Sequence, residues 1–248
     1  MTKPLAVTFD FWNTLVEDGG PGYNERRVAA WVGLLADAGH ELEHQHITPH
    51  MEAVTEDRIE RWKAGDHFAA PEATDALLDR LGLVEEMSPQ LRAQLAEAFA
   101  DPSGEHVPPL TPNVATALAQ LDDAGVRIGI VCDVGFTPSP VLRRHLESHG
   151  VLDHFDHWSF SDEVGVFKPD PVIFRHALDG LGIDDPTRVA HVGDLRRTDV
   201  AGAKGMGMIA VRYTGIYDDP GYASIGTEHV EGDVVVTDHA DLVAALFN

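Results

Sequence analysis

The chain has 248 residues, 44% of them hydrophobic and 24% charged, enough for one large domain or a core domain with an insertion. Its 41 acids against 18 bases give a formal net charge of −23, which argues against nucleic acid or an anionic membrane as partner, since both would be repelled. The lone cysteine, Cys132, excludes an internal disulfide. No apolar run is long enough to span a bilayer and no signal peptide precedes the first strand, so a cytoplasmic location is expected.

The first predicted element is the short apolar strand "LAVTFDF" (5–11), which carries Asp10 at its end and turns through Asn13 and Thr14. From about residue 19 to 108 the pattern changes to helices. "NERRVAAWVGLLADAG" (24–39) sets Val28, Trp31, Val32, Leu34 and Leu35 on one face and stops at a glycine. "ITPHMEAVTEDRIERWKAG" (47–65) and "SPQLRAQLAEAFA" (88–100) repeat the style, each with proline near the first turn. This stretch reads as an all-helical domain (19–108) inserted into a second domain made of 1–18 and 109–248. It leaves at "GGPGY" and returns at "VPPLTPN", two Gly/Pro-rich hinges.

Beyond residue 109, β-rich runs recur at 126–132, 157–161, 188–193 and 208–213, with a short run at 233–238 that suits an edge strand. Helical patterns lie between them at 114–124, 141–149, 171–181 and 199–204, and one more closes the chain at 240–247. Strands alternating with helices predict an α/β fold with a doubly wound parallel sheet. In such sheets ligands bind at the carboxyl ends of the strands. The polar residues gather there: Asp10 and Thr14, then Cys132 and Asp133, then Lys168 in "GVFKPD", then Asp194 and Asp199 in "HVGDLRRTD". Several carboxylates beside one lysine would repel each other unless a cation and an anion joined them. The pattern points to a divalent metal and a small anionic, phosphate-like substrate.

The four segments "FDFWNTL", "IGIVCD", "KPDP" and "GDLRRTD", in that order and each at a strand end, resemble the four motifs of the haloacid dehalogenase-like (HAD) hydrolases. The helical insertion is similar to that family's cap. The resemblance implies a Rossmann-like core, a Mg2+ cofactor and an aspartyl nucleophile at Asp10. It implies that Lys168 neutralises Asp10 and the transferring group, and that Mg2+ is held by Asp10, the Trp12 carbonyl and Asp194, with Asp199 as ligand or support. Thr14, Cys132, Asp133 and the Trp12 side chain are the implied substrate contacts.

Two positions depart from the family pattern. Phosphatases of the family carry a second Asp where Trp12 stands, and Ser or Thr where Cys132 stands. Members that hydrolyse carbon–halogen bonds share an aromatic residue at the Trp12 position but lack the "GD" that begins the fourth motif. The expected function is therefore a Mg2+-dependent phosphatase of a small phosphorylated metabolite. Hydrolysis at carbon and a catalytically weak binding or regulatory role are the alternatives. Asp133, Glu17 or a histidine of the helical domain are candidates for the missing general acid. Asp199 is placed to cap the helix after it. The histidines at 40–50, and His145 with His149, lack the acids or thiols of a zinc site and read as surface residues. Arg26, Arg27, Arg58 and Arg61 are among the cations the helical domain offers to an anionic substrate.

Overall fold

The computed structural model describes residues 3–17, 20–102, 107–220 and 230–247. Two compact units emerge. One comprises Met1–Asp18, Pro108–Asp133 and Arg143–Asn248; the other comprises Gly19–Val107 and Val134–Leu142. Placing residues 134–142 with the helices departs from the sequence reading, which left them with the sheet. The reason is packing: Phe136 lies edge-on to Phe99 at 4.7 Å and to Phe68 at 6.0 Å, inside the helical unit's own core.

The sheet unit holds six parallel strands: β1 (Ala6–Phe9), β2 (Arg127–Cys132), β3 (His157–Phe160), β4 (Val189–Gly193), β5 (Ile209–Tyr213) and β6 (Val234–Val236). Their order is β3-β2-β1-β4-β5-β6, with β6 at the edge as its short apolar run predicts. The strand order reverses between β1 and β4, so Asp10 stands beside the switch point where parallel sheets bind ligands. The central strands are buried along their whole length, and so they read as continuous apolar runs rather than alternating ones.

Helices α5 (Val114–Asp123), α6 (Ser139–Ser148), α8 (Pro171–Leu181), α9 (Ala201–Gly205) and α10 (Leu242–Phe247) follow the predicted patterns, and a single turn, α7 (Ser161–Val164), follows β3. The unit boundary falls within α6. Helix α8 starts on Pro171 behind Asp170, whose carboxylate accepts from the Val172 amide at 2.8 Å, and ends on Gly182 in the left-handed region. Its Ile173, Phe174, Ala177, Leu178 and Leu181 form the apolar stripe that covers the sheet.

The helical unit contains α1 (Gly20–Asp37), α2 (His44–Lys63), α3 (Ala70–Leu81) and α4 (Pro89–Ala100) around a core of Trp31, Leu35, Met51, Leu77, Leu95 and Phe99. Three findings differ from the sequence reading. The "GGPGY" hinge begins at Gly19, outside the described residues, and its remainder forms the first turn of α1. Helix α2 starts three residues early, because His46 reaches back to accept from the Glu43 amide at 3.0 Å; Pro49 therefore sits inside the helix. A fourth helix, α3, was not singled out, although Pro71, Glu72 and the left-handed Gly82 mark its two ends.

His145 is buried rather than on the surface. His149 uses its Nε2 to donate to the Pro108 carbonyl at 2.7 Å.

Candidate active site

The site is built at the carboxyl ends of β1, β2 and β4. The Asp10 amide still belongs to the sheet, donating to the Val192 carbonyl at 2.8 Å. Beyond it the chain must turn sharply, and Asn13 takes a positive φ of 56°, a conformation asparagine tolerates better than most residues. The turn is closed by the Asn13 amide on the Val16 carbonyl at 2.7 Å and by the Val16 amide on the Phe11 carbonyl at 3.0 Å. Thr14 is fully buried. Its carbonyl accepts twice, from Thr111 Oγ1 at 2.7 Å and from His239 Nε2 at 2.8 Å. The Trp12 ring is partly exposed and packs edge-on against Phe11 at 5.0 Å.

Lys168 reaches this turn from the far side. Its Nζ donates to Asp10 at 2.5 Å and to Asp199 Oδ1 at 2.7 Å, and the three groups are almost wholly buried. Asp133 braces it by accepting from the Lys168 amide at 2.8 Å. Cys132 is fully buried; burial and the nearby Asp10 carboxyl push its thiol well above the ordinary range, so it is no nucleophile.

Asp199 does not cap the helix after it. It lies in a single π turn, Arg196–Val200, and its Oδ2 accepts from the Leu195 amide at 2.9 Å. Its Oδ1 accepts from both Lys168 and His191, the latter at 3.1 Å. Space for this carboxylate exists because position 193 is glycine: a Cβ there would collide with the Asp199 side chain.

Electrostatics divide the acids. Burial lifts the Asp10 carboxyl to about 7, with Lys168 opposing and Asp199 adding to the rise. Burial, then Asp10 and Asp199, push Asp194 well above the usual carboxylate range. Burial also works against the charge on Asp199, but Lys168 and His191 outweigh it and hold that carboxyl well below the range. For Lys168, burial opposes its charge and the surrounding acids overcome it, keeping the ammonium charged. The carboxylate oxygens of Asp10, Asp194 and Asp199 lie within 4.8 Å of one another. Asp10 and Asp194 hold charge at a cost that a proton or a cation would relieve, and this donor set suits Mg2+. Asp199, engaged through both oxygens, suits support better than ligation.

Of the residues placed at the strand ends in the sequence, Lys168, Asp133, Asp194 and Asp199 are thus joined with Asp10 by hydrogen bonds or close charges. His191 and Thr8 were missed. The signal was present: two polar residues, each two places before a motif residue, in otherwise apolar strands.

The family model for haloacid dehalogenase-like hydrolases matches residues 4–207. A glyceraldehyde 3-phosphate phosphatase of Methanopyrus kandleri is 30% identical over 217 residues, 86% of each chain. A phosphoglycolate phosphatase of Vibrio cholerae is 32% identical over 135 residues, 53% of this chain and 58% of its own. Among solved structures, a putative HAD-hydrolase from Bacillus subtilis bound to magnesium superposes with a TM-score of 0.67 at 14% identity, covering 99% of both chains. A 2-haloacid dehalogenase of Pseudomonas syringae superposes at 0.66 with 23% identity, covering 99% of this chain and 98% of that one. At those identities the two structures speak to fold alone.

Proposed function

The chain belongs to the haloacid dehalogenase-like hydrolases, and from that premise we propose that it is a Mg2+-dependent phosphatase of small phosphorylated metabolites, acting through an aspartyl-phosphate at Asp10. The observation that carries this reading is the division of charge at the site. One lysine is held against the nucleophile, and a second carboxyl, Asp194, stands by, pushed above the usual carboxylate range by burial and by Asp10 and Asp199 against the pull of Lys168. A carbon–halogen hydrolase has no use for that second carboxyl. Relatives named for glyceraldehyde 3-phosphate and phosphoglycolate support a small phosphomonoester as substrate class.

In this reading Asp10 and Asp194 would hold Mg2+, with the Trp12 carbonyl as a further donor. When bound, the metal offsets the charge of the phosphoryl oxygens. Asp10 Oδ attacks phosphorus and the bond to the leaving oxygen breaks, that oxygen departing as an anion; water then cleaves the acyl phosphate and restores the carboxylate, and the proton that water releases balances the departed anion. Lys168 stays charged throughout, so it screens the nucleophile from the dianion and stabilises the charge that builds in transfer. Asp133 serves as a brace for the Lys168 loop, its Oδ1 accepting from the Lys168 amide.

Trp12 favours a second reading, hydrolysis at carbon, because an aromatic residue there replaces the acid that phosphoryl transfer ordinarily uses. One experiment separates the two. Phosphomonoesters are screened with and without Mg2+, beside the Asp10→Asn variant. Turnover that needs both the metal and Asp10 is expected, and metal-independent turnover of 2-haloacids with no phosphate release would overturn the reading.

A further inference from the structure

Beneath the site lies a polar chain that the proposed reaction does not itself call for. Thr8 and His191 are directly paired across β1 and β4. Both are fully buried, on the sheet face that two residues later carries Asp10 and Gly193. Thr8 Oγ1 lies 2.9 Å from His191 Nδ1, and His191 Nε2 lies 3.1 Å from Asp199 Oδ1. That same oxygen receives Lys168 Nζ, which in turn holds Asp10. The imidazole plane is fixed by Phe174, whose ring meets it edge-on at 5.1 Å and 87°.

The proton positions follow from the partners. A carboxylate only accepts, so Nε2 carries a hydrogen toward Asp199. Nδ1 lies 2.9 Å from the Thr8 hydroxyl and accepts from it. The alternative acceptor for that hydroxyl, the Ala190 carbonyl, is farther away at 3.4 Å.

We propose that His191, with its tautomer set by Asp199 and its Nδ1 held by Thr8, is a positioning residue. It fixes the Asp199 carboxylate, and through it the ammonium of Lys168, against the nucleophile. The consequence is specific. Asp199 Oδ2 is tied to the Leu195 amide and Oδ1 to His191, so the carboxylate cannot rotate away when the Asp10 charge is consumed by phosphorylation. Lys168 then stays in place through both half-reactions. This kinetic role rests on the phosphatase reading above, whereas the tautomer does not.

The test uses full-length protein in two arms. In the first, ring-nitrogen NMR of His191 in the wild type should show the Nε2–H tautomer, and Thr8→Val, nearly the same in shape, should keep it but move the Nδ1 resonance to that of an acceptor that has lost its hydrogen bond. In the second, kinetics with Mg2+ and p-nitrophenyl phosphate should show kcat falling about tenfold or more in Thr8→Val and His191→Phe, with KM changed less than about twofold. His191→Gln, which keeps a donor near the Nε2 position, should recover most of the loss. Matching melting temperatures guard against misfolding, and Thr8→Val carries the test if His191→Phe fails to fold. An Nδ1–H tautomer, or Thr8→Val with wild-type kcat, would overturn the proposal. Wild-type protein that shows the Nε2–H tautomer, with the Nδ1 resonance moved in Thr8→Val, but hydrolyses no phosphomonoester would overturn the phosphatase reading and support the hydrogen-bonded chain.

Discussion

At Asp10, the proposed nucleophile, and at Asp194, the chemistry is set against the stability of the fold. Each has a folded pKa raised above its unfolded value, to about 7 for Asp10, so the folded state binds their protons more tightly than the unfolded chain does. Their favourable contribution is therefore present below about pH 4 and is lost as the pH rises through the folded values. In chelator at pH 7, Asp194→Asn should then be more stable than wild type, by about 1 kcal/mol or more in urea unfolding, with the gap closing toward pH 4. Mg2+ should raise the melting temperature of wild type and leave the variant unmoved. An Asn variant that is less stable at pH 7 would show that the two carboxyls do not burden the fold. Trp12 poses the complementary question, because general acid help is worth roughly 10²–10⁴-fold in rate. With no acid at this position, phosphate esters of weakly basic leaving groups should turn over far faster than alkyl esters. Trp12→Asp should flatten that dependence, and equal rates on aryl and alkyl esters with chemistry limiting would place the donor elsewhere.

The element that joins site to core is β4 with the π turn and α9, and two glycines make it possible. Gly193 leaves room for the Asp199 carboxyl, and Gly202 for the Phe174 ring, which a Cβ would strike. Gly202→Ala should destabilise the protein by about 1–3 kcal/mol through overpacking, and should lower kcat as well, since Phe174 sets the plane of His191. Urea unfolding and steady-state kinetics on one preparation check both, and a variant that loses stability but keeps full kcat would uncouple Phe174 from the site. Much of this architecture is legible in the sequence. Five of the six strands announce themselves as apolar β-branched runs and β3, His-Trp-Ser-Phe, by its aromatics, and the acids and the lysine stand at the strand ends where the fold requires them. What is not legible arises between elements. The His191–Thr8 pairing needs the β1–β4 register, which no local pattern encodes. The place of Phe136 among the helices depends on Phe68 and Phe99, far away in sequence. The short π turn hides because Asp199 before a helical pattern looks like an ordinary cap.

At the scale of the whole molecule, a net charge of −23 acts on every anionic substrate that approaches. Its far field repels a phosphate ester, while the site offers one lysine whose charge is already shared by Asp10 and Asp199. The helical unit carries Arg26, Arg27, Arg58 and Arg61, but part of that charge is spent inside the unit. Arg27 is buried, donates to the Phe99 carbonyl at 2.7 Å and lies over aromatic rings, and Arg58 lies 5.5 Å over Phe136. Two outcomes are therefore physically distinct. If the far field governs encounter, raising monovalent salt at fixed free Mg2+ shortens the screening length from roughly 30 Å at 0.01 M to about 8 Å at 0.15 M, and kcat/KM for a dianionic substrate should rise. If the arginines steer substrate locally, the same salt should lower it. The excess of acids, 41 against 18, and the internal engagement of Arg27 favour the first. The melting temperature should climb over the same range, because self-repulsion among the acids is screened too. The measurement is kcat/KM against ionic strength for the best phosphomonoester, with a neutral-salt control on melting. A rising melting temperature with a falling kcat/KM would mean that the repulsive field burdens the fold while local cations still guide the substrate.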